Sequence, residues 1–268
     1  MELVLSEVQH HDASEGTVGV VTLNDPARRN ALSAQLVSEF IAAFDELEAS
    51  PDVHAIVVTG AAPTFCAGAD LSGLAPDQDR PQSEAEREAG LRRVYSAFLR
   101  VSECALPTIA AVNGPAVGAG MNLALACDVR IASRLSRFDT RFLNLGLHPG
   151  GGHTFLLDRA VGPQTTSAMV LFGEVLSGED AERTGLAWRC VDDKDLMVES
   201  LAIARRAGSV PRALLTRTKE TLRAVPALDR HADAVDLEIV AQTWSLGEPF
   251  FFERLAALRA KVSKSTSQ

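Results

Sequence analysis

The chain has 268 residues, of which 46% are apolar and 23% charged, with a formal net charge of −9 and four cysteines. That length and apolar content are enough to bury a large core, as one large domain or one domain with an appendage. The acidic balance, with no basic block to offset it, argues against nucleic-acid and anionic-membrane partners, and no run reaches the ~20 apolar residues of a bilayer span. The opening segment, MELVLSEVQHHDASEG, lacks the charged-then-apolar layout of a signal peptide. Cys66, Cys104, Cys127 and Cys190 have neither CxxC nor zinc-like spacing and read as reduced thiols of a cytoplasmic protein.

In chain order, residues 3–8 and 18–23 are strand-like, the second followed by the turn Asn24-Asp25-Pro26. Residues 33–48 place Leu36, Val37, Phe40, Ile41, Phe44 and Leu47 on one helical face. The apolar run 55–59 (AIVVT) has buried-strand length, and 108–112 (TIAAV) and 129–132 repeat it. Strands separated by helices point to parallel pairing with crossover connections. Residues 75–90 are the most polar stretch and read as a loop running into a helix that regains its period over 92–103. From about residue 196 the pattern is almost entirely helical. The expected division is therefore a core over 1–195 and a helical region over 196–268.

Two Gly-rich turns follow apolar strands. The first is Phe65-Cys66-Ala67-Gly68-Ala69-Asp70; the second is Asn113-Gly114-Pro115-Ala116-Val117-Gly118-Ala119-Gly120, leading into a helix over 121–127. Glycine lets backbone approach a ligand closely, and a helix N-terminus offers unpaired N–H groups. Neither turn has the Lys-Ser/Thr of a P-loop or a full GxGxxG. Taken in order with their flanks, the segments PARRNALS, FCAGADLSGL, PTIAAVNGPAVGAGMNLALACDVRIAS, FLNLGLHPGGG and GEVLSGEDAERTGLAWRCV resemble the enoyl-CoA hydratase/isomerase (crotonase) superfamily. The resemblance runs over residues 3–225, and the tail EPFFFERLAALRAK is similar to the family's final helix. It implies an α/β fold, a crotonase-like spiral of ββα units with a C-terminal helical trimerisation region, assembled as homotrimers or hexamers. It also implies an acyl-CoA or enoyl-CoA ligand, with no separate cofactor, because CoA enters as part of the thioester substrate.

Carried over by position, the resemblance puts an oxyanion hole at the backbone N–H groups of Ala69 and Ala119. It places CoA contacts at Ala27, Arg28 and Arg29 and along the turn of Ala67, Gly68, Asp70 and Leu71. Asp70 is expected to fix that turn or cap the helix after it. The positions of the two hydratase glutamates hold Asn122 and Phe142, and Gly150 stands where related isomerases carry an Asp. Neither Asn122 nor Phe142 exchanges a proton at neutral pH, so the substitutes to consider are His148 and Asp139, the latter either facing the pocket or pairing with Arg141. Phe142 and Leu143 are expected to shape the acyl pocket, and His153 to cap the next helix. Cys66 reads as a small buried residue rather than a nucleophile. His10, His11 and Asp12 lie in a polar turn with no matching ligand, so no metal site is expected. Two functional readings stay open: an enzyme, a lyase or isomerase acting through an enolate, and a non-catalytic acyl-CoA carrier. Asn122→Glu alone is expected to leave crotonyl-CoA hydration absent in a spectrophotometric assay, because Phe142 still removes the second carboxylate. Strong hydration by that single variant would overturn the assignment.

Overall fold

Continuous apolar runs build strands that are covered on both faces. A computed structural model of the chain describes residues 2–10, 16–70 and 82–265. In chain order its first elements are β1 (Val4–Gln9), β2 (Thr17–Leu23), α1 (Ala34–Ala49) and β3 (Val53–Gly60). They are followed by α2 (Glu84–Glu103), β4 (Thr108–Val112), β5 (Pro115–Val117), α3 (Ala119–Ala126), β6 (Val129–Ser133) and β7 (Arg137–Asp139). Then come α4 (His153–Phe172), β8 (Leu176–Ser177), α5 (Gly178–Thr184), β9 (Arg189–Val191) and α6 (Leu196–Arg205). The larger sheet has the order β1-β2-β3-β4-β6-β9, and the smaller has β5-β7-β8. Only the β1–β2 pair of the larger sheet is antiparallel, as the helical crossovers of the sequence pattern predict.

Strand β3 shows why its run is unbroken. Ile56 and Val58 point into a core shared with Leu36, Phe40, Phe44 and Leu47 of α1. Ala55 and Val57 point the other way, into a second cluster with Leu196 and Ala204 of α6. A strand buried on both faces has no polar side to show. Because α6 closes one face of the sheet, the first compact unit extends to Ser209 and the second spans Val210–Gln268. That second unit contains α7 (Arg212–Ala224), α8 (His231–Leu246) and α9 (Pro249–Ser265). No helix among the described residues is long and apolar enough to cross a membrane.

The polar stretch over 75–90 is corrected in part. Helix α2 begins at Glu84, eight residues before its apolar period becomes legible at 92, and residues 75–81 lie outside the described residues. The cause is a capping box: Ser83 Oγ accepts from the Glu86 N–H at 3.2 Å, and the Glu86 carboxylate accepts from the Ser83 N–H at 2.9 Å. Two orphan donors are satisfied, and a polar first turn becomes helical. Ser83→Ala is expected to lower stability by about 1 kcal/mol, read as a fall in the urea midpoint with an unchanged slope.

Candidate active site

The two Gly-rich turns lie backbone against backbone. Val117 N–H donates to Cys66 O at 3.0 Å, and the N–H groups of Phe65 and Cys66 both donate to Pro115 O at 3.1 Å. On its other edge the first turn pairs with Leu32, whose N–H donates to Gly68 O at 2.7 Å and whose carbonyl accepts from Asp70 N–H at 3.4 Å. In such a parallel bridge Ala69 turns its own N–H away from Leu32. Ala119 opens α3, and the first helical bond of that helix is Asn122 N–H to Gly118 O at 3.1 Å, so the Ala119 N–H has no helical acceptor. Glycine is required at the seam. Gly68 has φ +97°, and a Cβ on it would fall 2.7 Å from Val117 O and 3.5 Å from the Ala119 nitrogen. A Cβ on Gly120 would fall 2.2 Å from Cys66 O.

Both turns open on a cavity of about 330 Å³. Gly68, Ala69, Gly118 and Ala119 form one side of it. Leu91 and Val94 of α2, with Phe142, Leu145 and Leu147, supply an apolar wall, and Tyr95 and His148 bring polar tips. A second cavity of about 470 Å³ shares Ala67, Val117 and Arg141 with the first and adds Arg29 and Thr64. Arg29 reaches it from a loop anchored by Asn30, which is fully buried. Asn30 Nδ2 donates to the carbonyls of Ala61 at 2.9 Å and Thr64 at 2.6 Å, while its Oδ1 accepts from Asp25 N–H at 2.9 Å.

Several residues singled out in the sequence take other roles. Asn122 is fully buried and turned from the cavity: its Nδ2 donates to Gly150 O at 3.0 Å and its Oδ1 lies 2.6 Å from His153 Nδ1. An amide oxygen only accepts, so His153 carries its proton on Nδ1. His153 therefore does not cap α4, whose N-cap Gly152 makes no side-chain bond; its ring is buried and packs edge-on against Phe142, with centroids 5.0 Å apart. Asp139 is buried in an ion pair with Arg141, Nε to Oδ2 2.8 Å, and does not line the cavity. Its carboxylate is held as Arg141's partner rather than presented as a base. His148 does line the cavity, with Nδ1 2.7 Å from Pro149 O, which leaves Nε2 as the acceptor nitrogen.

Phe142 forms part of the wall, whereas Leu143 is 46% exposed and lies off it. Asp70 has its carboxylate 4.0 Å from the Arg28 guanidinium, and Ala27 and Arg28 sit on an exposed 3-10 turn. The Cys66 thiol is fully buried, lies 3.1 Å from Asn30 O, and is pushed up to about 12 by burial, so it stays protonated. Leu71, His11 and Asp12 lie outside the described residues, among which no group of three His, Cys, Asp or Glu side chains is placed to hold a metal.

Tyr95 escaped the sequence reading because its helical spacing marks it as core. Its one signal was being the sole tyrosine of the chain. Its hydroxyl oxygen accepts from the Gly151 N–H, and burial raises its pKa, so the phenol remains a neutral donor. A Cβ at residue 150 would lie 2.2 Å from that hydroxyl oxygen, so a side chain there would have to displace the Tyr95 ring.

With the site in view, comparison with known proteins identifies the lineage. The family described as enoyl-CoA hydratase/isomerase matches residues 13–244, and the chain belongs to that family. It is 48% identical over 245 residues to "Probable enoyl-CoA hydratase EchA14" of Mycobacterium tuberculosis, covering 90% of this chain and 93% of that one. It is 30% identical over 266 residues to the 4-chlorobenzoyl coenzyme A dehalogenase-2 of an Arthrobacter species, covering 98% and 95%. Among solved structures, an enoyl-CoA hydratase of Mycobacterium smegmatis superposes with a TM-score of 0.87 at 28% identity, covering 97% of each chain.

His153 makes a pH prediction. Burial pushes its imidazole down from 6.5 to about 4. The unfolded chain takes up that proton near 6.5 and the folded chain does not, so its contribution is complete above pH 6.5 and is lost as pH falls toward 4. The expected loss is about 1.4 kcal/mol per pH unit within that window. Denaturant titrations between pH 7 and 5 should show it, with a shallower slope for His153→Asn.

Proposed function

We propose that this protein binds an acyl-CoA thioester with its carbonyl oxygen between the N–H groups of Ala69 and Ala119, and processes it through an enolate as a lyase or isomerase with non-standard acid–base residues. The observation that carries this reading is the seam at Gly68. It brings the Ala119 nitrogen beside the first turn while both donors open on an apolar cavity. A thioester α-proton becomes acidic when the enolate oxygen is stabilised, and each preorganised donor contributes about 2.7–4 kcal/mol to that. Arg29, on the adjoining cavity, supplies local positive charge for the phosphates of CoA in an otherwise acidic chain, while Arg141 beside it is paired with Asp139.

The reaction departs from two-glutamate hydration. Asn122 is tied on both sides, Phe142 is apolar and Asp139 is ion-paired. Among the described residues, that leaves His148 as the cavity side chain of a type suited to acid–base chemistry. The absence of carboxylates from the described lining of the cavity supports the second reading, a carrier that holds acyl-CoA without turning it over. The rest of the proposal follows the resemblance: no cofactor beyond the CoA of the substrate, a homotrimer or hexamer, and a cytoplasmic location. Assembly would cover apolar side chains such as Phe172, which is 84% exposed.

The test is incubation with saturated, enoyl, β-hydroxy and malonyl-type CoA thioesters in D₂O, followed by mass and chromatographic retention. Deuterium uptake, hydration, hydrolysis, isomerisation or loss of CO₂ is expected for at least one of them. His148→Gln should lower that rate by about 10²-fold or more while leaving ligand binding within a few-fold. Thioesters that bind but return unchanged would establish the carrier.

A further inference from the structure

We infer that Tyr95 determines acyl specificity: its phenol O–H hydrogen-bonds an oxygen on the acyl group, so that the site selects oxygenated over plain aliphatic thioesters. This rests on the reading of the cavity as a thioester site. Three positions of α2, Leu91, Val94 and Tyr95, face the cavity at i, i+3 and i+4 spacing. Leu91 and Val94 give it only hydrocarbon. The Tyr95 ring is held against Phe98, with centroids 5.4 Å apart, which fixes where the hydroxyl can go.

The hydroxyl sits beside Gly150, in space that any side chain at that position would claim, with its oxygen 2.2 Å from where a Cβ would stand. A phenylalanine at 95 would complete the same apolar wall and remove the closest approach to residue 150, leaving the ring carbon Cζ 3.3 Å from where a Cβ would stand.

Its acceptor side is used by the Gly151 N–H, which directs the O–H elsewhere. Among the described residues no protein group accepts that proton. Phe142, Leu145 and Leu147 on this wall are apolar, and the cavity's other polar side chains, Thr140, Arg141 and His148, come from outside α2. An acyl chain that starts at the Ala69 and Ala119 donors and runs along the α2 side of the cavity meets the Tyr95 O–H there. An acyl oxygen satisfies it; a plain alkyl chain would cover the O–H and leave it without an acceptor, the arrangement that gives a hydrogen-bonding site its discrimination.

The experiment is calorimetric titration of the full chain and of Tyr95→Phe with hexanoyl-CoA and with 3-, 4- and 5-hydroxyhexanoyl-CoA. The wild type is expected to bind at least one hydroxy thioester about tenfold or more tighter than hexanoyl-CoA. Tyr95→Phe should shrink that ratio to about twofold or less, with hexanoyl-CoA affinity and the thermal midpoint near wild type. A wild type without preference, a preference that survives Tyr95→Phe, or an equal loss for all four ligands would overturn the inference; the last would mean that the hydroxyl only props the Gly151 backbone. Hexanoyl-CoA failing to bind the wild type would overturn the thioester reading itself, and is told apart from the other outcomes by that single titration.

Discussion

The arrangement depends on two turns approaching closer than side chains allow. The turn ending β3's connection and the turn opening α3 are laced by main-chain hydrogen bonds between residues 65–66 and 115–117. Gly68 and Gly120 exist because a Cβ at either would meet carbonyl oxygen at 2.7 Å or less. That seam sets the separation of the Ala69 and Ala119 nitrogens, and a backbone donor has no rotamer to lose. Its position is as rigid as the sheet behind it, which is the preorganisation that an oxyanion site requires. Asn30 plays the supporting part, since one buried amide ties the Arg29 loop to the 61–65 turn.

Around that seam the polar groups are few and each is committed. Asn122 joins Gly150 to His153, and the pair stays neutral and buried behind Phe142. A carboxylate at residue 122 would lose the Gly150 bond, since it has no N–H to donate, and would add charge to a buried setting. Asn122 is therefore matched to its surroundings, the Gly150 carbonyl on one side and the His153 ring on the other. Relatives of this chain bear the names of both a hydratase and a dehalogenase, and a shared fold does not by itself fix one reaction.

Much of this was legible in the residues. Runs such as AIVVT and TIAAV have the length and composition of doubly buried strands, and Ser33 before an apolar 3.6-residue period marks α1 closely. The motifs around Gly68 and Gly118 declared the family. The short strands β5, β7, β8 and β9, two or three residues each, carry no periodicity of their own, and long-range pairing alone defines them. The start of α2 was hidden because a helix opening with a capping box is polar, and polarity alone reads as loop.

The sequence by itself determined the family, the two Gly-rich turns and the residue types at 122 and 142, Asn and Phe, because those are matters of local order and residue type. Only the tertiary structure decided which polar side chains face the cavity. Asp139 is two residues from Arg141 and closes on it; His153 is 31 residues from Asn122 and bonds it; Tyr95 is 55 residues before Gly150 and reaches it. Direction and partnership at such separations come from how the elements pack, and residue type sets only what each group does once it arrives.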